Sequence, residues 1–132
     1  MADYRELSKR LAGIAAELIR TAPELSGIKG SGVRIAYVTS ENEKTNHGRP
    51  VLGQCEKVPD RFKFAMPYDF VVTVYLANVE RLTPAQMRVL MLHELMHVGV
   101  ETDGNEERYF VVPHDVEDFK ALIEKHGLGW SE

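Results

Sequence analysis

The sequence predicts an α+β fold built from an N-terminal helix, a small mixed or antiparallel sheet of three to four strands, a central helix and a C-terminal helix. Three observations carry that expectation. Apolar residues recur at helical spacing between Asp3 and Thr21, where Leu7, Leu11, Ile14, Ala15, Leu18 and Ile19 form one stripe. Alternating, β-branched stretches at Val33–Thr39 and Phe70–Val79 have the period of strands. A capped segment opening at Thr83 then returns to helical composition. At 132 residues the chain is read as one domain, 1–132, able to bury roughly two-thirds of its unfolded surface without disulfide or metal staples.

In order along the chain, the first helix ends at Ala22-Pro23, and Ser26 to Gly32 is a glycine-rich turn region without a phosphate-binding pattern. After the strand Val33–Thr39, the polar stretch Glu41–Pro50 contains Asn46-His47-Gly48 and reads as a turn or loop, with His47 facing solvent. Val51–Val58 and Phe62–Met66 read as one or two short, irregular strands around Pro59-Asp60. Phe70–Val79 is the strongest strand, with Phe70, Val72, Val74 and Leu76 on one face and Val71, Thr73 and Tyr75 on the other. Both faces are apolar enough to be covered. Thr83-Pro84-Ala85-Gln86 combines an N-cap threonine, a proline at the first helical position and a glutamine at N3, a capping box. The helix it opens is expected to run through Val98 and stop at Gly99. Thr102–Arg108 reads as a polar loop, Tyr109–Val112 as a short apolar segment, and a last helix opens at His114 or Asp115 and ends at His126-Gly127.

Composition excludes several classes. A net charge of −4 argues against a nucleic-acid surface, and the compact basic group Lys57, Arg61 and Lys63 reads as a solvated loop face. Cys55 is the only cysteine, so no internal disulfide and no multi-cysteine zinc site can form, and a reducing compartment is expected. Charges throughout the first twenty residues leave no signal-peptide apolar run, and no stretch approaches a membrane span. Cytoplasmic residence and no membrane partner are the expectation.

The central helix carries His93-Glu94-Leu95-Met96-His97. Residues four apart on a helix share a face, so His93 and His97 can present imidazole nitrogens to one metal ion, Zn2+ by ligand chemistry. Glu94 is then placed to act on water as a general base. A mostly apolar helix also needs a reason to hold these polar side chains, because burying them unpaired costs on the order of 1 to 7 kcal/mol. Catalytic zinc sites use three protein ligands, so a third donor is required. The candidates are His114, seventeen residues after His97; Asp103, six residues on but out of register with the extended pattern because Gly99, not residue 100, is the glycine; Glu106 and Glu107; and Cys55, placed like the upstream cysteine of peptide deformylases. Ligand chemistry and loop reach favour His114.

His93-Glu94-Leu95-Met96-His97-Val98 followed by Pro113-His114-Asp115-Val116-Glu117-Asp118-Phe119, with the strand Tyr68 to Tyr75 before them, resembles the zincin-like metallopeptidase family found in phages and prophages, from about Val33 to Trp130. The resemblance implies a minimal zincin-like fold, with His93, His97 and His114 as metal ligands, Glu94 as general base, Zn2+ as cofactor and a protein or peptide as substrate. The expected reaction is peptide-bond hydrolysis by metal-activated water. An extended peptide would add along the strand Phe70–Val79, and Tyr109, Tyr75 or Tyr68 would supply a second oxyanion donor. Asp115 or Asp118 would accept a hydrogen bond from a ligand histidine or cap the last helix. Two other functions fit the same residues: a noncatalytic zinc-binding interaction domain, and a zinc amidohydrolase close to the deformylases.

Overall fold

A computed structural model of the chain describes residues 4–113. The expected C-terminal helix, and with it His114, Asp115 and Asp118, lies outside the described residues.

The chain opens with strand β1 (Arg5–Leu7) and only then enters helix α1 (Lys9–Thr21). The expected helix from Asp3 is thus shorter, because Ser8 is the N-cap: its hydroxyl accepts from the Leu11 backbone N–H, ending the extended run before it. Strand β2 (Ile35–Ser40) follows a 3-10 turn and a loop. The stretch read as a loop forms a minute hairpin, β3 (Thr45–Asn46) and β4 (Arg49–Pro50). Its two turn residues, His47 and Gly48, both have positive φ (53° and 76°), as a two-residue type I′ turn requires. His47 is exposed there, as expected.

Strand β5 (Gly53–Lys57) forms within the first of the two irregular segments, whereas the second, from Phe62, is a 3-10 turn and bends. Strand β6 (Phe70–Tyr75) is the expected strong strand, shortened by a one-turn helix α2 (Leu76–Val79). The chain leaves the sheet there because β2 ends opposite Tyr75, and Asn78 donates from its amide to the carbonyls of Lys44 and Val51. Helix α3 (Pro84–Leu95) has the predicted capping box, with Thr83 Oγ1 accepting from Gln86 N–H and Gln86 Oε1 accepting from Thr83 N–H. Strands β7 (Val98–Asp103) and β8 (Glu106–Val111) then make a hairpin turning at Gly104 and Asn105, where Gly104 has φ +65°. The region read as a polar loop is therefore regular. Its cross-strand pairs, such as Glu101 opposite Arg108, are exposed and polar, so no alternation toward a core announces them.

The main sheet has the order β1-β2-β6-β5, with β2 parallel to β6 and the other two neighbours antiparallel. It is the expected mixed sheet, in an α+β fold. Its registers put Tyr37, Val72 and Cys55 in one row, and Thr39, Val74 and Gly53 in another, on the same face. Phe70, Val72 and Val74 from that face join Leu11, Ala15 and Leu18 of α1 and Leu90, Met91 and Leu95 of α3 in one buried cluster. The opposite face of β6 carries Thr73 and Tyr75, also buried, so both faces are covered as predicted.

An ion cluster around the buried Asp69 fastens the start of β6 to β2. The Asp69 carboxylate accepts from the Arg34 backbone N–H (2.8 Å) and from Lys63 Nζ (2.7 Å). Burial pushes this carboxyl up, but the Lys63 and Arg34 hydrogen bonds and the Lys63 charge outweigh it and hold the pKa below its usual value. A depressed pKa contributes stability that is complete above the unfolded value, near 4, and disappears as pH falls through the folded one. Asp69→Ala is expected to cost about 2 kcal/mol at pH 7, by removing the charge-assisted hydrogen bond from Lys63 and the acceptor of the Arg34 amide. Urea unfolding at pH 7 and pH 3 should show the gap between the two proteins narrowing in acid.

Candidate metal centre

Helix α3 delivers the predicted residues at its C-terminal end. The helix stops at Leu95, with Met96 as C-cap, and His97 N–H bonds back to Glu94 O in a tightened last turn. The expected continuation to Val98 and the stop at Gly99 are corrected accordingly. Gly99 lies inside β7, where it has a packing role: a Cβ there would collide with the ring of Phe110, its cross-strand partner. Phe110 thus covers the glycine across the hairpin.

His93 and His97 stand edge to face, ring centroids 4.9 Å apart and planes at 85°. Both are half-buried, and the Nδ1 atom of His93 is inaccessible to solvent. His97 Nδ1 lies 2.7 Å from the carbonyl oxygen of Val112. A carbonyl can only accept, so Nδ1 is the donor in this contact, which in a neutral ring leaves the lone pair on Nε2, free for a metal. The Val112 N–H in turn donates to His97 O at 2.7 Å. Two hydrogen bonds therefore hold the end of the β8 segment against the second histidine, and the β7–β8 hairpin is the element that fixes this ring.

Glu94 sits between the two histidines in sequence and is only 5% exposed. Burial pushes its carboxyl pKa up to about 7. Its side chain lies over Gly53 of β5, whose face also carries Cys55. Cys55 is half-buried, and burial followed by the Glu94 and Glu56 charges raises its thiol pKa to about 12. Tyr37, two strands away in the same row, is likewise raised to about 12 by burial and then by Cys55.

Other expected groups are placed elsewhere. Asp103 and Glu106 flank the hairpin turn; five residues of strand put Asp103 about 17 Å from Val98. Glu107 accepts from Gly32 N–H and from Tyr109 Oη, tying the hairpin to the loop before β2. Tyr75 is on the opposite face of the sheet and donates to Gln54, and Tyr109 donates to Glu107. The strand Phe70–Val79 is no edge: β6 lies between β2 and β5, and among the described residues β5 is the antiparallel edge strand on this side. Among the described residues, no group of three or more His, Cys, Asp or Glu side chains is arranged to hold a metal ion. His93 and His97 are the two expected donors within the described part. Two contributors went unread in the sequence. The Val112 carbonyl is backbone and leaves no trace in residue type, whereas a lone glycine at 53 within a strand pattern is a recognised sign of close approach.

Fold and site together define an α+β chain that sets two adjacent imidazoles and a buried carboxylate beside an antiparallel edge strand. The family model described as "Putative phage metallopeptidase" matches residues 3–132, and the chain belongs to that family. No curated protein matches the chain, and no solved structure does. Among the described residues, no helix is long and apolar enough to cross a membrane.

Proposed function

We propose that this protein is a zinc-dependent metallopeptidase of minimal zincin-like fold, with His93, His97 and His114 as metal ligands and Glu94 as general base. The observation that carries the reading is the pair of imidazoles 4.9 Å apart beside a carboxylate buried to 5% exposure. The donor chemistry fits zinc: nitrogen ligands, one of them held in its metal-binding tautomer by a backbone carbonyl. His114 follows Val112 by two residues, at most about 7 Å of chain, and Val112 is bonded to His97 at both its N–H and its carbonyl.

Bound zinc would polarise the scissile carbonyl and make water nucleophilic near neutral pH. Glu94, with a carboxyl pKa of about 7, is matched to accept the proton of the attacking water and return it to the leaving amine. The edge strand β5, rather than β6, offers main-chain groups to an extended peptide, which would lie alongside Gly53 and Cys55.

Elemental mass spectrometry of the protein purified without added metal tests the site. About one zinc per wild-type chain is expected, with occupancy lost or greatly reduced in both His97→Ala and His114→Ala. Full occupancy in His114→Ala would remove it from the ligand set. No metal in the wild type, even after reconstitution, would leave the histidines structural. Bound zinc without hydrolysis of a peptide library would favour an interaction domain, and hydrolysis confined to formyl peptides an amidohydrolase.

A further inference from the structure

We propose that Gly53 is a positioning residue for the Glu94 carboxylate. Gly53 lies on the edge strand β5, opposite Val74, on the sheet face that packs against α3. A Cβ at this position would stand 3.2 Å from Glu94 Oε2, 3.3 Å from Glu94 Cγ and 3.3 Å from the Thr73 carbonyl oxygen. Its φ is outside the left-handed region, so the backbone does not call for glycine. In a strand with such a backbone, alanine ordinarily stabilises, since it restricts the unfolded chain and loses less entropy on folding. The reason for glycine here is therefore the neighbour.

Which side yields to an added methyl follows from how each is held. β5 is paired to β6 along its whole length, from Gly53 opposite Val74 to Lys57 opposite Phe70. Moving it breaks a ladder, whereas moving the carboxylate needs only a side-chain rotation. The missing side chain thus sets how deeply Glu94 seats between α3 and β5, and so where its oxygens stand relative to His93 and His97. Its catalytic consequence rests on the reading of Glu94 as the base, but the contact itself does not.

The test is a thermal-unfolding cycle on the full chain in chelator, comparing wild type, Gly53→Ala, Glu94→Ala and the double variant. Gly53→Ala is expected to lower Tm by about 3 °C or more in the presence of Glu94, and to leave it unchanged or raise it in the Glu94→Ala background. An equal loss in both backgrounds overturns the proposal, because the conflict would then lie with Thr73 alone. A second readout follows position rather than stability, the visible absorption of the cobalt(II)-loaded protein. Gly53→Ala should shift the cobalt bands at unchanged stoichiometry, and the shift should vanish when Glu94 is alanine. Unshifted bands in Gly53→Ala overturn the positioning role. Failure of the wild type to take up cobalt strikes the metallopeptidase reading instead, and the unfolding cycle then decides Gly53 by itself.

Discussion

Glu94→Gln is expected to bind one zinc per chain and to lose peptide hydrolysis by about 100-fold to 10,000-fold, the range of a removed general base. Glutamine keeps the shape of the side chain over Gly53 and leaves His93 and His97 untouched, so the metal site should survive. What it lacks is a lone pair basic enough to take a proton from water. The position makes the comparison clean, since the carboxylate is buried and the substitution changes its charge with little change of shape. Zinc content and turnover of a fluorogenic peptide library should be measured on the same preparation. Retained turnover would remove Glu94 from the mechanism, whereas loss of both zinc and turnover would make it a ligand or a support for one.

The same substitution should make the metal-free protein more stable above neutrality. Burial raises the Glu94 carboxyl from an ordinary 4.5 to about 7, so the fold favours the protonated form. A raised carboxyl pKa leaves stability intact below the unfolded value, erodes it as pH climbs from about 4.5 to about 7, and holds it at its reduced level beyond. At about 1.4 kcal/mol per unit, the full effect is about 3 kcal/mol. Glutamine is neutral throughout and escapes it. In chelator, Glu94→Gln should therefore match wild type near pH 4 and exceed it by about 3 kcal/mol at pH 8, read from urea unfolding. Equal stability at both values would mean that the charged carboxylate is well solvated or hydrogen-bonded in the fold. A stabilising variant without activity is the signature of a group kept in place for chemistry at the expense of the fold.

How far the sequence could be read depended on where side chains alone decide the structure. The α3 start was legible because Thr83, Pro84 and Gln86 each act locally on the helix N-terminus. β6 was legible because Phe70, Val72 and Val74 need burial on one face and Thr73 and Tyr75 on the other. The end of α3 was not: Met96, His97 and Val98 continue an apolar helical pattern, and what stops the helix is strand pairing with residues up to Val111. Nor was β1, where Leu7 fits the helical stripe but Ser8 caps the helix after it. Placing β6 at an edge failed for a similar reason, because sheet order is a property of the assembled chain. At the site, His93, Glu94 and His97 were read from spacing, while the hydrogen bond from His97 to Val112 depends on a backbone carbonyl that any residue would supply.

The pairing of His97 with Val112 also has a kinetic meaning. The main sheet joins distant parts of the chain, Ile35 with Phe70, whereas the clamp on His97 closes with a single local hairpin, Val98 to Val111. Hairpins of this kind form in about 1–10 μs, and local units can open far below the free energy of global unfolding. The second histidine is therefore tethered to the more local of the two structures. Opening of that hairpin alone would separate the ring from Val112 while leaving the Ile35–Phe70 pairing of the main sheet in place.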